Sequence, residues 1–141
     1  MRYRSFFPSS FILATALLAT TWQPPAQQPA QQEARVIEVT ATRYQFDPAE
    51  IRVKKGEKVQ LKVRAVDRTH GLEFKLYPDG AREEGPTGLR FESDQHNWKL
   101  EKEQERVIEL TAERAGTYTF KCSVYCGWRH LGMKGKLIVE E

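Results

Sequence analysis

Both cysteines of this chain, one of its three histidines and one of its two methionines fall in a single short run, Cys122-Ser-Val-Tyr-Cys126-Gly-Trp-Arg-His130-Leu-Gly-Met133. The spacing is Cys-x3-Cys-x3-His-x2-Met. Two thiolates, an imidazole and a thioether make the soft donor set that copper favours among biological metals. A second histidine, His70, stands upstream in Asp67-Arg-Thr-His70-Gly. A distant histidine followed by a Cys/Cys/His/Met loop points to copper and to one-electron chemistry.

Other uses of these residues lead to different proteins. Two cysteines in an exported domain ordinarily form a disulfide. A three-residue spacer closes only a small ring, so the entropic gain is modest, and a disulfide needs neither the histidine nor the methionine. Two cysteines and two histidines suit tetrahedral zinc, which has no use for a thioether. A mononuclear blue-copper site takes two histidines, one cysteine and a weak axial methionine. His70, Cys126, His130 and Met133 supply that set and leave Cys122 spare, an oxidation hazard beside copper. A dinuclear copper centre bridged by both thiolates uses the full inventory. A periplasmic copper carrier or chaperone would use the same ligands.

Such donors must be held at the ends of rigid elements, and the sequence supplies strands. Val59, Leu61, Val63 and Ala65 alternate with Lys58, Gln60, Lys62 and Arg64, a period of two with one buried face. Ile37, Val39 and Ala41 repeat the pattern, as do Ile108 and Leu110, Tyr118 and Phe120, and Leu137 and Val139. Asp47-Pro48, Lys55-Gly56, Pro78-Asp79-Gly80 and Ala115-Gly116 punctuate them. About seven short strands without an amphipathic helix predict an all-β fold, a Greek-key β-sandwich. Cys122 follows Phe120 on the inward side, so the ligand loop joins the last two strands at one end of the sandwich. His70 comes from another loop at that end. The segment from Tyr77 to Gln104 is polar and weakly periodic, with a short strand expected at Leu89–Phe91 and one or two helical turns over Asn97–Arg106.

The sequence has 141 residues, enough for one domain. Residues 1–21 predict a signal peptide or a single membrane anchor. Arg2 and Arg4 precede the apolar stretch Phe11 to Ala19, about the ~7–15 residues of a signal core and short of the roughly 20 a spanning helix needs. Residues 22–34 are a Pro/Gln-rich linker, and residues 35–141 form the domain. The expected place is outside the cytoplasm: periplasm, or outer face of the membrane, with membrane contact only through an uncleaved N-terminus. A formal charge of +3 with no basic stripe argues against nucleic acid as partner. No nucleophile triad or phosphate loop is present.

The run Cys122-Ser-x-Tyr-Cys126-Gly-x-x-His130-x-x-Met133 closely resembles the CuA loop of cytochrome c oxidase subunit II and, less directly, that of nitrous oxide reductase. Phe46-Asp-Pro-x-x-Ile51-x-Val53-x-x-Gly56-x-x-Val59, Asp67-x-x-His70-Gly and Gly135-x-Leu137 look like the same cupredoxin family. The match covers about residues 36–76 and 106–141. The resemblance implies two copper ions bridged by Cys122 and Cys126. One copper would add His70 and Met133, the other His130 and the backbone carbonyl of Val124. It also implies cytochrome c or a similar electron donor, and a haem-copper oxidase catalytic subunit as acceptor. The chain would be an enzyme only as a subunit of that complex.

Three departures accompany the resemblance. Position 124 is commonly glutamate in the family, where it helps to bind magnesium at the contact with the catalytic subunit; Val124 keeps the carbonyl but has no carboxylate. Typical subunit II carries two membrane helices, and this chain has at most one, as in the B-type oxidases. The aromatic patch where electrons arrive usually includes a tryptophan before the second strand; here Tyr44 is the nearest equivalent, with Trp128 inside the ligand loop as a second docking candidate. Arg129 and Lys134 are placed to steer an acidic partner. Asp67 is placed to hold His70 by a hydrogen bond or to cap a turn. His96 has no partner at ligand spacing and reads as an exposed loop histidine.

Overall fold

The computed structural model describes residues 33–141. The signal or anchor expected over 1–21 and nearly all of the linker expected over 22–34 lie outside them. Ten strands follow one another: β1 (Arg35–Thr42), β2 (Gln45–Asp47), β3 (Glu50–Lys54), β4 (Lys58–Ala65), β5 (His70–Phe74), β6 (Leu89–Phe91), β7 (Asn97–Leu100), β8 (Glu105–Ala112), β9 (Gly116–Lys121) and β10 (Lys134–Glu140). Among the described residues no helix is long and apolar enough to cross a membrane.

Alternation drives the layering. β4 buries Val59, Leu61, Val63 and Ala65, while β8 buries Ile108, Leu110 and Ala112. The strands form two five-stranded sheets, ordered β2-β1-β4-β8-β6 and β3-β10-β9-β5-β7. The chain changes sheet at nearly every connection, so β1 pairs with β4 and β3 with β10 in parallel, while β9 and β10 form an antiparallel hairpin. This is the all-β sandwich that the period-two pattern predicts. Between the sheets lies an aromatic cluster. Phe120 meets Phe46 at 5.3 Å and Phe74 at 5.1 Å, and Phe91 meets Trp98 at 5.1 Å, all centroid to centroid. Such contacts add about 0.5–1.5 kcal/mol each beyond the area they bury.

Two expectations need correction. The strands number ten rather than about seven, because β2, β6 and β7 have only 3, 3 and 4 residues, too short to display a period. The helical turns expected over Asn97–Arg106 are absent. Asn97, Trp98, Lys99 and Leu100 alternate exposed and buried as an edge strand on β5, and Glu105 already begins β8. Pairing with β5 and burial of Trp98 and Leu100 override the weak i,i+4 charge pattern; Lys99 reaches Glu101 at 2.7 Å instead. The polar segment therefore contributes one of the two outer strands of each sheet, β6 in one and β7 in the other, with Leu89–Phe91 forming the strand expected there.

Tyr118 is fully buried and its hydroxyl donates to the Arg114 carbonyl at 2.6 Å. Burial holds its phenol above the ordinary value of 10.0, against a small opposing effect of the Arg114 charge. A raised folded-state value means that this contribution is intact below pH 10 and is lost as pH rises further. Tyr118→Phe is expected to cost about 1 kcal/mol at neutral pH. The deficit should shrink above pH 10, as measured by urea unfolding across the alkaline range.

Candidate metal centre

The alternation of β9 carries the first thiol inward. Phe120 is buried, Lys121 faces out and Cys122 turns in again. The loop that follows is closed at its base, where the Cys122 N–H donates to the Met133 carbonyl at 2.9 Å. Across that base Lys121 stands opposite Lys134, the first residue of β10. Inside the loop, the His130 N–H donates to the Gly127 carbonyl at 3.0 Å and the Met133 N–H to the His130 carbonyl at 3.0 Å, around a 3-10 turn over His130–Gly132. These bonds fold twelve residues back on themselves and turn Cys122, Cys126 and Met133 into the interior.

His70 opens β5 and is fully buried. Its Nε2 lies 2.7 Å from Asp67 Oδ1, so Asp67 is a hydrogen-bonding partner rather than only a turn cap. Burial would raise the Asp67 carboxyl, but hydrogen bonds from His70 and the Arg43 N–H hold it below its ordinary 3.8. A carboxylate accepting at Nε2 keeps the proton there and leaves Nδ1 as the free donor atom. That Nδ1 stands 3.9 Å from Cys122 Sγ. Cys122 Sγ is 3.7 Å from Cys126 Sγ, which is 3.8 Å from Met133 Sδ. The Val124 carbonyl oxygen accepts from Cys122 Sγ at 3.1 Å.

His70, Cys122 and Cys126 thus bring three donor atoms within 4.8 Å of one another. Met133 and the Val124 carbonyl join through direct contacts with the thiols. His130 lies outside that tight group, yet its Nδ1 is buried and lacks a hydrogen-bond partner. Both cysteines are free thiols, and 3.7 Å is far beyond the ~2.05 Å of a disulfide. Buried sulfurs in mutual contact beside His70 Nδ1 suit a soft metal ion, and the buried thioether favours copper over zinc. Burial, the hydrogen bond to Cys122 and the Cys122 charge push the Cys126 thiol up to about 11. A metal entering here therefore displaces protons.

Glycines set the approach of the surrounding chain. The Gly71 N–H donates to Cys122 Sγ at 3.3 Å, and a Cβ at Gly71 would lie 2.6 Å from the backbone nitrogens of both Ser123 and Val124. Gly127 has φ +133°, and a Cβ there would meet the Tyr44 hydroxyl at 2.5 Å. Tyr44 consequently packs on the residue next to Cys126, half-buried. Trp128 is 81% exposed, with Tyr125 at 73% and Leu131 at 80% beside it on the loop. The Arg129 guanidinium lies 6.0 Å from the Tyr44 ring centre and 5.7 Å from that of Trp128. His96 is exposed in a loop and is not among the clustered donors.

The spacing of the sequence did not single out Tyr125 or Leu131, because nothing in it marks loop residues that face outward. It also passed over Arg68, although this residue sits inside the quoted Asp67-x-x-His70 motif. Its Nη1 donates to the Cys126 carbonyl at 2.7 Å.

A family model described as a cupredoxin-like domain matches residues 11–139. Cytochrome c oxidase subunit 2 of Thermus thermophilus is 25% identical over 122 residues, covering 85% of this chain and 78% of that protein. A second Thermus thermophilus protein of the same name also shows 25% identity, with 62% of its length covered. Among solved structures, a heme-copper terminal oxidase dimer aligns with TM-score 0.57 at 22% identity, over 85% of this chain and 76% of the other. Auracyanin from Roseiflexus castenholzii aligns with TM-score 0.55 at 19% identity, over 77% and 98%. The periplasmic domain of cytochrome oxidase subunit II from Bradyrhizobium japonicum aligns with TM-score 0.55 at 14% identity, over 76% and 84%.

Gly71→Ala is expected to leave the sandwich folded, by circular dichroism, while pushing the Ser123–Val124 backbone away from β5. Copper affinity should fall by about 10–100-fold, the range for loss of a supporting contact, as read by competition with a chelator of known affinity.

Proposed function

We propose, from the premise that this chain belongs to the cupredoxin-like domain family, that it is an exported electron-transfer protein built around a dinuclear CuA centre. The observation that carries this is the pair of buried thiols 3.7 Å apart, flanked by His70 Nδ1 on one side and Met133 Sδ on the other. A mononuclear site leaves one of these thiols idle, whereas bridging uses both. His70, Cys122, Cys126, His130, Met133 and the Val124 carbonyl would hold the metal. Copper in that position would supply a one-electron couple, spread over two ions by shared sulfur.

The protein's part is to keep the donors still. Asp67 orients His70, the Cys122–Met133 backbone bond fixes the loop base, and the aromatic cluster beneath Cys122 resists movement. In this reading the chain alone would relay electrons. Similarity to subunit 2 of cytochrome c oxidase supports a haem-copper oxidase complex as the setting, with cytochrome c or a similar donor. Tyr44, packed on Gly127, and exposed Trp128 are the proposed arrival points for the electron. Val124 has no carboxylate to share with a magnesium ion, so any contact with a catalytic subunit must be built differently there.

Copper loading followed by metal counting and electron paramagnetic resonance tests this. Two coppers per chain, with hyperfine splitting shared over two equivalent nuclei, are expected. Cys126→Ser should abolish that signal, whereas Met133→Leu should keep two coppers with a shifted potential. One copper with single-nucleus splitting would instead indicate a mononuclear carrier. Labile copper that passes readily to an acceptor, without a shared-electron signal, would indicate a chaperone. An unchanged signal in Cys126→Ser would sink the bridging assignment.

A further inference from the structure

The four residues from Asp67 to His70 reach the ligand cluster at two points. Asp67 holds His70, and Arg68 crosses to the other loop, where its Nη1 donates to the Cys126 carbonyl at 2.7 Å. This bond spans 58 residues of sequence. It is charge-assisted, the stronger class of hydrogen bond. Arg68 is half-buried, and its Nε is buried without a hydrogen-bond partner. Desolvating part of a guanidinium that is not fully paired is unfavourable, so a role limited to decorating the surface does not account for this placement.

We propose that Arg68 is a positioning residue for the metal centre, clamping the Cys126 carbonyl to fix the direction of its thiol and placing a permanent positive charge beside the redox site. The proposal rests on Cys126 being a metal ligand. Holding the carbonyl restrains the Cys126 peptide plane, and with it the Cα–Cβ bond that aims Sγ at Cys122. Gly127, immediately after, has φ +133°, a conformation few other residues adopt. The clamp therefore lies directly before the most permissive joint of the loop. The charge has its own effect. The guanidinium touches the backbone of the residue that carries the sulfur, with Nη1 2.7 Å from the Cys126 carbonyl oxygen. Reduction adds negative charge to the centre, so a nearby fixed cation favours the reduced form and raises the potential.

The two roles separate in two variants. Arg68→Met removes both the bond and the charge; Arg68→Lys keeps the charge without the planar fork. In metal-free protein, alkylation of Cys126 by iodoacetamide reports loop opening. It should be about tenfold faster in Arg68→Met, the opening expected from loss of one charged hydrogen bond. In copper-loaded protein, the midpoint potential should fall in Arg68→Met and stay near the wild-type value in Arg68→Lys, with the metal count unchanged. Wild-type alkylation rate in Arg68→Met would overturn the clamp. Equal potentials in the Met and Lys variants would overturn the charge effect. Should Arg68→Met fail to fold, alkylation in Arg68→Gln, whose shorter neutral side chain loses the reach and the charge, decides the clamp: faster than wild type supports it and an unchanged rate overturns it. The alkylation readout uses no metal, so it stands or falls separately from the number of coppers bound.

Discussion

The Cys122 N–H donating to the Met133 carbonyl at 2.9 Å is the constraint on which the rest of the site depends. It closes a loop whose two ends already belong to paired strands. The loop thus inherits the register of the hairpin, Lys121 opposite Lys134. With both ends fixed, the residues between must fold back within a short span. The 3-10 turn at His130–Gly132 and the bonds from His130 and Met133 complete that return. Soft donors are then buried close together without a disulfide. Packing them this closely makes a thiolate at Cys126 unfavourable, through burial first and Cys122 second. A rigid frame is required to maintain that packing.

That frame comes from one strand, β5, and from the turn between β1 and β2. β5 presents His70 and Gly71 to the loop, one with an imidazole and the other with a bare backbone. Gly71 brings its N–H to Cys122 Sγ and leaves room for Ser123 and Val124. On the opposite flank, Tyr44 fills the space left by Gly127. The site is therefore a cup of backbone and ring surfaces, and Tyr125, Trp128 and Leu131 of the same loop are exposed.

Much of this was readable in the residues alone. The strands that read clearly, such as β4 and β8, have eight residues each and a clean alternation. The soft-donor spacing pointed to the loop, and the Asp67-x-x-His70 spacing pointed to its partner histidine. What escaped was short or cooperative. β2, β6 and β7 exist because neighbouring strands offer them a ladder, not because three or four residues have a strong preference. The helical turns expected near Asn97 relied on i,i+4 charges that are worth only a few tenths of a kcal/mol, too little against burial of Trp98 and Leu100. Arg68 was missed for another reason: a long side chain reaching across 58 residues leaves no periodic mark.

The alternation of the chain between sheets has a consequence for assembly. β4 and β5 lie in opposite sheets, as do β8 and β9. His70 at the start of β5 and Cys122 just after β9 are carried by neighbouring strands of one sheet, 52 residues apart in sequence. Topologies dominated by distant pairings form late and cooperatively, because loop-closure entropy is spent before the contacts are made. Until then Cys122 and Cys126, four positions apart in one flexible stretch, are exposed thiols with no His70 beside them. In an oxidising compartment that interval is when they are open to unwanted oxidation. In the finished sandwich both thiols are buried, and His70 stands beside Cys122.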